Sequence, residues 1–143
     1  MMRKLLPVSI LLLFLTACNS PNLTEEPADT LAQDSLNSMD ALADELHSVV
    51  DRESWIRAWP KIRQLGRKMQ IIRETGDGTL RMTAEVRHQM EDKYKEQMVE
   101  TSHRLKREFE RIVTKVDRGK DYIRDLERLM KQILNEVKDR SSH

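Results

Sequence analysis

The chain has 143 residues, 34% of them charged and 4% aromatic, with four Gly and four Pro. That is enough for one modest core and favours helices over a sheet. The formal net charge of +1 excludes a strongly basic or acidic protein overall, and a lone cysteine excludes an internal disulfide.

Met1 to Lys4 make a short cationic start, and residues 5–15 an apolar run interrupted by Pro7 and Ser9. Thr16-Ala17 then brings small residues to a cut site, which completes the three-part layout of an export signal. Eleven helical residues rise only about 16 Å, roughly half the hydrocarbon thickness of a bilayer, so the run targets rather than spans. Export removes nucleic acid from the list of partners. Residues 1–17 are therefore a signal segment, and 126 residues remain after it, with a formal charge of −1 once Arg3 and Lys4 are gone.

Cys18 follows Leu15-Thr16-Ala17 directly. This stretch resembles the lipobox of bacterial lipoproteins. The resemblance implies cleavage between Ala17 and Cys18, a thioether-linked diacylglyceryl on Cys18 and often an acyl chain on the freed amine. Two or three chains hold a protein stably, at roughly 0.8 kcal/mol per buried methylene. Asn19 stands where an Asp signals inner-membrane retention in the Gram-negative class, so the resemblance points to an outer membrane, facing the periplasm, if the source has two. With Cys18 lipidated, no thiol is left for zinc or for nucleophilic catalysis.

Residues 18–34 carry Pro21, Pro27 and several acids with only two leucines, and read as a flexible tether before a helical domain over 35–143. About 15 such residues span some 20 Å. Leu36, Met39, Leu42, Ala43, Leu46, Val49 and Val50 then form a stripe at helical spacing over 35–50, with Asp34 or Ser35 as cap.

A second helix is expected over 54–75, capped by Ser54, with Trp55, Ile56, Trp59, Ile62, Leu65, Met69 and Ile72 at spacings of three and four. Pro60 predicts a kink or a late start. Thr75-Gly76-Asp77-Gly78 lacks a Walker-type Gly-Lys-Thr and reads as a reversal, not a phosphate cradle. Charge divides the chain here. Residues 19–50 hold seven acids and no Lys or Arg, whereas residues 54–75 hold Arg57, Lys61, Arg63, Arg67, Lys68 and Arg73 against Glu74 alone. Either the two helices neutralise each other or the basic one meets an anionic envelope surface. In the second case Trp55 and Trp59 insert while Arg57, Lys61 and Lys68 bind phosphates or carboxylates; in the first, both indoles are core.

A long third helix is expected over 80–117, with Val86, Met90, Tyr94, Met98, Leu105, Phe109, Ile112 and Val116 on one side and a weak middle at Thr101-Ser102. At about 55 Å it outruns its neighbours. Gly119 then allows either a break or a continuous helix, since Val116, Gly119, Ile123, Leu126 and Met130 keep the spacing; a break, with a fourth helix over 121–139, is the preferred reading. The stripe from Tyr122 to Val137 offers a surface for a protein partner or for self-association.

Glu85-x-x-His88 and Glu100-x-x-His103 match the Glu-x-x-His pattern of di-iron bundles, but they lie on one helix about 22 Å apart, and His88 points off the apolar side. His47, one turn after Asp44, reads as a surface ion pair. No metal site, cofactor motif or catalytic constellation is predicted.

The order of features also resembles a group of small helical lipoproteins of planctomycete type. It rests on Leu42-Ala43 and Leu46, then Ser54, Ala58, Pro60 and Leu65, then Lys93-Tyr94, Leu105 and Arg111. Trp55, Trp59 and the charged tail after Gly119 depart from that pattern. The resemblance implies fold and location and no activity. The sequence thus predicts an all-α antiparallel bundle of three to four helices, non-enzymatic, anchored to a membrane through covalent lipid.

Overall fold

Asp51 and Ser54 set the geometry of the first half of the protein. Asp51 Oδ1 accepts the Ser54 amide at 2.8 Å while Ser54 Oγ accepts the Asp51 amide at 3.0 Å, a reciprocal capping box. The helix that follows therefore starts at Arg52, capped by Asp51 and not by Ser54.

The computed structural model describes residues 25–78 and 83–141. The signal segment, Ala17, Cys18 and the first part of the expected tether lie outside the described residues. Four helices fill the rest: α1 (Glu25–His47), α2 (Arg52–Gly78), α3 (Ala84–Lys115) and α4 (Gly119–Ser141). Helix is the only regular secondary structure among the described residues. At about 1.5 Å per residue α3 is the longest, near 48 Å.

Residues 25–34, expected to belong to a flexible tether, are helical. Helix α1 begins at Glu25, ten residues before the expected start, and Ala28, Leu31 and Ala32 are buried. Those three continue the apolar stripe backwards one turn at a time from Leu36, and packing against α3 supplies the stability that two leucines alone would not. Helix α1 also ends three residues early, at His47.

Pro60 does not delay α2, which runs through it as one helix. Ile56, whose carbonyl loses its amide partner at Pro60, lies on the solvent side, where water substitutes. The helix continues to Gly78, past the predicted end at residue 75. Thr83 caps α3, its hydroxyl accepting the Val86 amide at 3.2 Å.

Consecutive helices reverse direction, as an antiparallel bundle requires, and the side-to-side order is more specific. Helix α1 packs against α2 and α3, and α4 packs against the same two. Numbers rise together along α1 and α3: Asp29 meets Tyr94, Asp40 meets Thr101, His47 meets Glu108. They also rise together along α2 and α4, where Trp55 meets Tyr122 and Arg67 meets Glu136. Two antiparallel hairpins thus lie side by side with like-directed helices touching. Met39, Leu46, Ile62, Met90, Leu105, Ile112 and Leu126 are buried at the centre. Gly66 lets α2 approach α4 closely; a Cβ there would come within 3.1 Å of Ile133 Cδ1.

The chain breaks between α3 and α4. Val116 leaves the helix with its amide still bonded to the Ile112 carbonyl at 3.2 Å, and Arg118 takes a left-handed φ of 59°. The Gly119 amide returns to the Val116 carbonyl at 2.9 Å. Gly119 has ordinary φ; it is required because a Cβ would meet the Ile112 carbonyl oxygen at 1.7 Å.

Candidate functional site

Trp55 is 6% exposed and stacks on Tyr122 with ring centroids 5.0 Å apart and planes 17° apart. Trp59 tilts against Trp55 at the same separation and is partly buried against the core. The ladder of three rings joins α2 to α4, so the indoles are packing elements.

At about 100° per residue, Arg57, Lys61 and Lys68 fall roughly 140–180° around α2 from the two indoles. The five residues expected to form one anion-binding face do not share a face. Arg57 and Lys68 point to solvent, and Lys61 pairs with Glu45 of α1 at 3.5 Å. The arginines that flank Trp59 are instead Arg63 and Arg67. With Asp125, Arg128, Leu129 and Gln132 of α4 they line a shallow groove of about 290 Å³. Arg67 reaches Glu136 at 3.4 Å and Arg128 reaches Asp125 at 3.7 Å.

The acids of α1 pair mostly with α3, not with α2 as charge patterning suggested. Asp29 accepts hydrogen bonds from Lys93 and Tyr94, each at 2.5 Å. Those bonds hold its carboxyl below the usual range, and burial together with Asp29 pushes the Tyr94 phenol up. Asp40 accepts from Thr101, which is 4% exposed, so the weak middle of the α3 stripe is a polar tie. Arg104 donates to Asp44 and to the Asp40 carbonyl.

Arg111 carries the densest set of contacts. Its guanidinium donates to the carbonyls of Leu46 at 2.8 Å, His47 at 3.3 Å and Val49 at 2.9 Å, closing the C-terminal end of α1. Its Nε donates to Glu108 at 2.8 Å. Glu108 in turn meets His47 Nδ1 at 2.8 Å, so His47 pairs across to α3 and not with Asp44. Burial raises the Glu108 carboxyl, but the bonds from Arg111 and His47 outweigh it and leave the group below its ordinary value. Asp51 is likewise held low by the Ser54 amide and hydroxyl.

The two Glu-x-x-His motifs stay apart. His88 meets Glu91 of its own helix at 3.8 Å. His103 lines a shallow depression of about 520 Å³ with Lys95, Glu96, Val99, Glu100 and Arg107, all from α3. Among the described residues no group of three His, Cys, Asp or Glu side chains is placed to hold a metal ion.

The stripe over 121–139 that offered itself to a partner is covered from Tyr122 to Ile133. Tyr122, Ile123, Leu126, Leu129, Met130 and Ile133 are all buried in the bundle. A partner would meet the polar outer side of α4. Sequence reasoning also missed Arg104 and Arg111 as interhelical ties and Arg63, Arg67 and Ile71 as one outer flank. A constant separation of about 60–65 residues between α1 acids and α3 cations was the available signal.

These features define an all-helical, four-helix bundle of two hairpins, stitched by polar contacts along α1 and α3. Comparison with protein-family models, curated proteins and solved structures found no match.

Proposed function

We infer that the protein is a non-enzymatic, lipid-anchored helical module of the cell envelope with a structural or protein-interaction role. The observation that carries this reading is Leu15-Thr16-Ala17-Cys18 behind an apolar run too short to span. Among the described residues no helix is long and apolar enough to cross a membrane, so attachment in this reading depends on acyl chains. Asp29, Asp40, Glu108 and Arg111 each join one helix to another and so hold the bundle together as a unit that such an anchor could present. Intact mass of the protein purified from its own envelope tests the reading. The expected product starts at Cys18 and carries diacylglyceryl; an unmodified polypeptide mass, or release from envelopes by buffer alone, overturns it.

A second reading, an envelope module recognising an anionic surface through α2, is favoured by one observation. Over residues 52–72 that helix carries six Lys or Arg against Glu53 alone. Titration of the mature chain with anionic vesicles and with acidic cell-wall fragments tests it, and absence of binding to both refutes it.

A further inference from the structure

Ile56 and Ile71 are 57% and 61% exposed, as Val50 and Val99 are at 66% and 49%; what distinguishes the two isoleucines is that they flank cations on one helix. They share one flank of α2. At about 100° per residue, Ile56, Pro60, Arg63, Arg67 and Ile71 fall within roughly an 80° arc, and the two isoleucines lie about 22 Å apart along the axis. Isoleucine tips at both ends with guanidinium groups between them make an interfacial pattern: the apolar tips enter the headgroup boundary and the arginines stay at phosphate level.

We propose that this flank of α2 is a membrane-docking face that lays the bundle against anionic lipid headgroups. The proposal deepens the second reading above and takes its geometry from the lipid-anchored one. Six residues separate Cys18 from Glu25, where α1 begins. Fully extended, that stretch reaches at most about 24 Å, so an anchored bundle stays within one helix length of the lipid surface. A leash this short raises the local concentration of the α2 flank at the membrane, and the second, electrostatic contact adds to the lipid one.

The chemistry favours a lipid surface over an acidic sugar. A sugar seated in the groove beside Trp59 would fill a space between α2 and α4 that neither isoleucine lines. It would also leave isoleucines 22 Å apart uncovered. A headgroup layer meets the ridge as a whole. On the far side of the molecule, Val99 of α3 is 49% exposed among Lys95, Glu96 and Glu100, with no excess of cations. It supplies an internal control.

With Cys18 lipidated, an introduced cysteine is the only free thiol in the mature chain. Ile56→Cys, Ile71→Cys and Val99→Cys versions of the full mature protein, each carrying a polarity-sensitive dye, are reconstituted on phosphatidylcholine vesicles with and without phosphatidylglycerol. The expected result is shielding of dyes at 56 and 71 only when phosphatidylglycerol is present, with the dye at 99 in water throughout. Arg63→Gln and Arg67→Gln should each weaken the lipid-dependent shielding about fivefold. Dyes at 56 and 71 that stay as exposed as the dye at 99 on phosphatidylglycerol overturn the proposal, as does shielding by an acidic glycan and not by the vesicles. Co-sedimentation with phosphatidylcholine alone reports the acyl anchor separately. If that is lost while phosphatidylglycerol still shields 56 and 71, the anchor fails and the docking face stands.

Discussion

Replacing Gly119 with alanine separates two structures by the sign of the effect. A helix running straight through residue 119 gains about 1 kcal/mol from the change, because glycine is the poorer helix former. In the turned structure the new Cβ lies 1.7 Å from the Ile112 carbonyl oxygen, more than an ångström inside any ordinary contact, and the obstacle is backbone. The turn must open. Opening it threatens the Val116 amide to Ile112 carbonyl bond and the Gly119 amide to Val116 carbonyl bond. At about 1 kcal/mol net for each, with added strain, Gly119→Ala should cost roughly 2–4 kcal/mol. Urea unfolding of the mature chain with Cys18→Ser, followed by circular dichroism at 222 nm, gives the measurement. At a slope near 1.5 kcal/mol per molar, roughly expected for this size, the midpoint falls by about 1.3–2.7 M. Arg118→Gly should move the other way, by about 0.5–1 kcal/mol, since the φ of 59° no longer crowds a Cβ. A Gly119→Ala midpoint equal to or above the parent value refutes the break between α3 and α4.

Arg111→Met keeps the aliphatic stem but removes the donors at the end of α1, and should destabilise by roughly 2–3 kcal/mol in the same urea assay, with Arg111→Lys recovering only part. Asp29 and Glu108 are both held low in the folded state, so their contribution is present above the unfolded carboxylate value and is lost as the pH falls through the folded one. The melting temperature should therefore drop as the pH is lowered from 5 towards 3, and Asp29→Asn or Glu108→Gln should flatten that slope; an unchanged slope in both removes the assignment. Trp55→Phe should delete the blue-shifted, iodide-resistant part of the tryptophan emission and leave the more accessible Trp59, whereas equal quenching of the two indoles contradicts the ring ladder.

Periodicity at three and four revealed all four helices, because each buries one stripe and that stripe is written in adjacent turns. Leu36, Met39, Leu42, Ala43 and Leu46 proved to be core, as did Tyr122 through Ile133 on α4. What the stripe does not encode is which neighbour it meets. Residues 25–33 look like a tether when composition is weighed alone; they fold because Asp29 has Lys93 and Tyr94 to bond, about 64 residues away. The indole and cation pattern of α2 failed for a related reason. Trp55 and Arg57 are two residues apart in the chain and about half a turn apart on a helix, so sequence proximity put on one surface what the helix put on two. Thr101 looked like a defect in an apolar stripe, since no local rule pairs a threonine with Asp40 of another helix.

Helix order also decides where charge is left over. Had α1 spent its acids on α2, the opposed runs of 19–50 and 54–75 would have cancelled and the bundle would present a mixed surface. Because α1 lies parallel to α3, Asp29, Asp40 and Asp44 are taken up by Lys93, Thr101 and Arg104. Lys61 with Glu45 is the ion pair that joins α1 to α2 among the described side chains. Arg57, Arg63 and Lys68 consequently face outward, on the helix that also exposes two isoleucines. A parallel neighbour chosen by α1 thus sets the electrostatic character of α2, a helix that α3 scarcely touches.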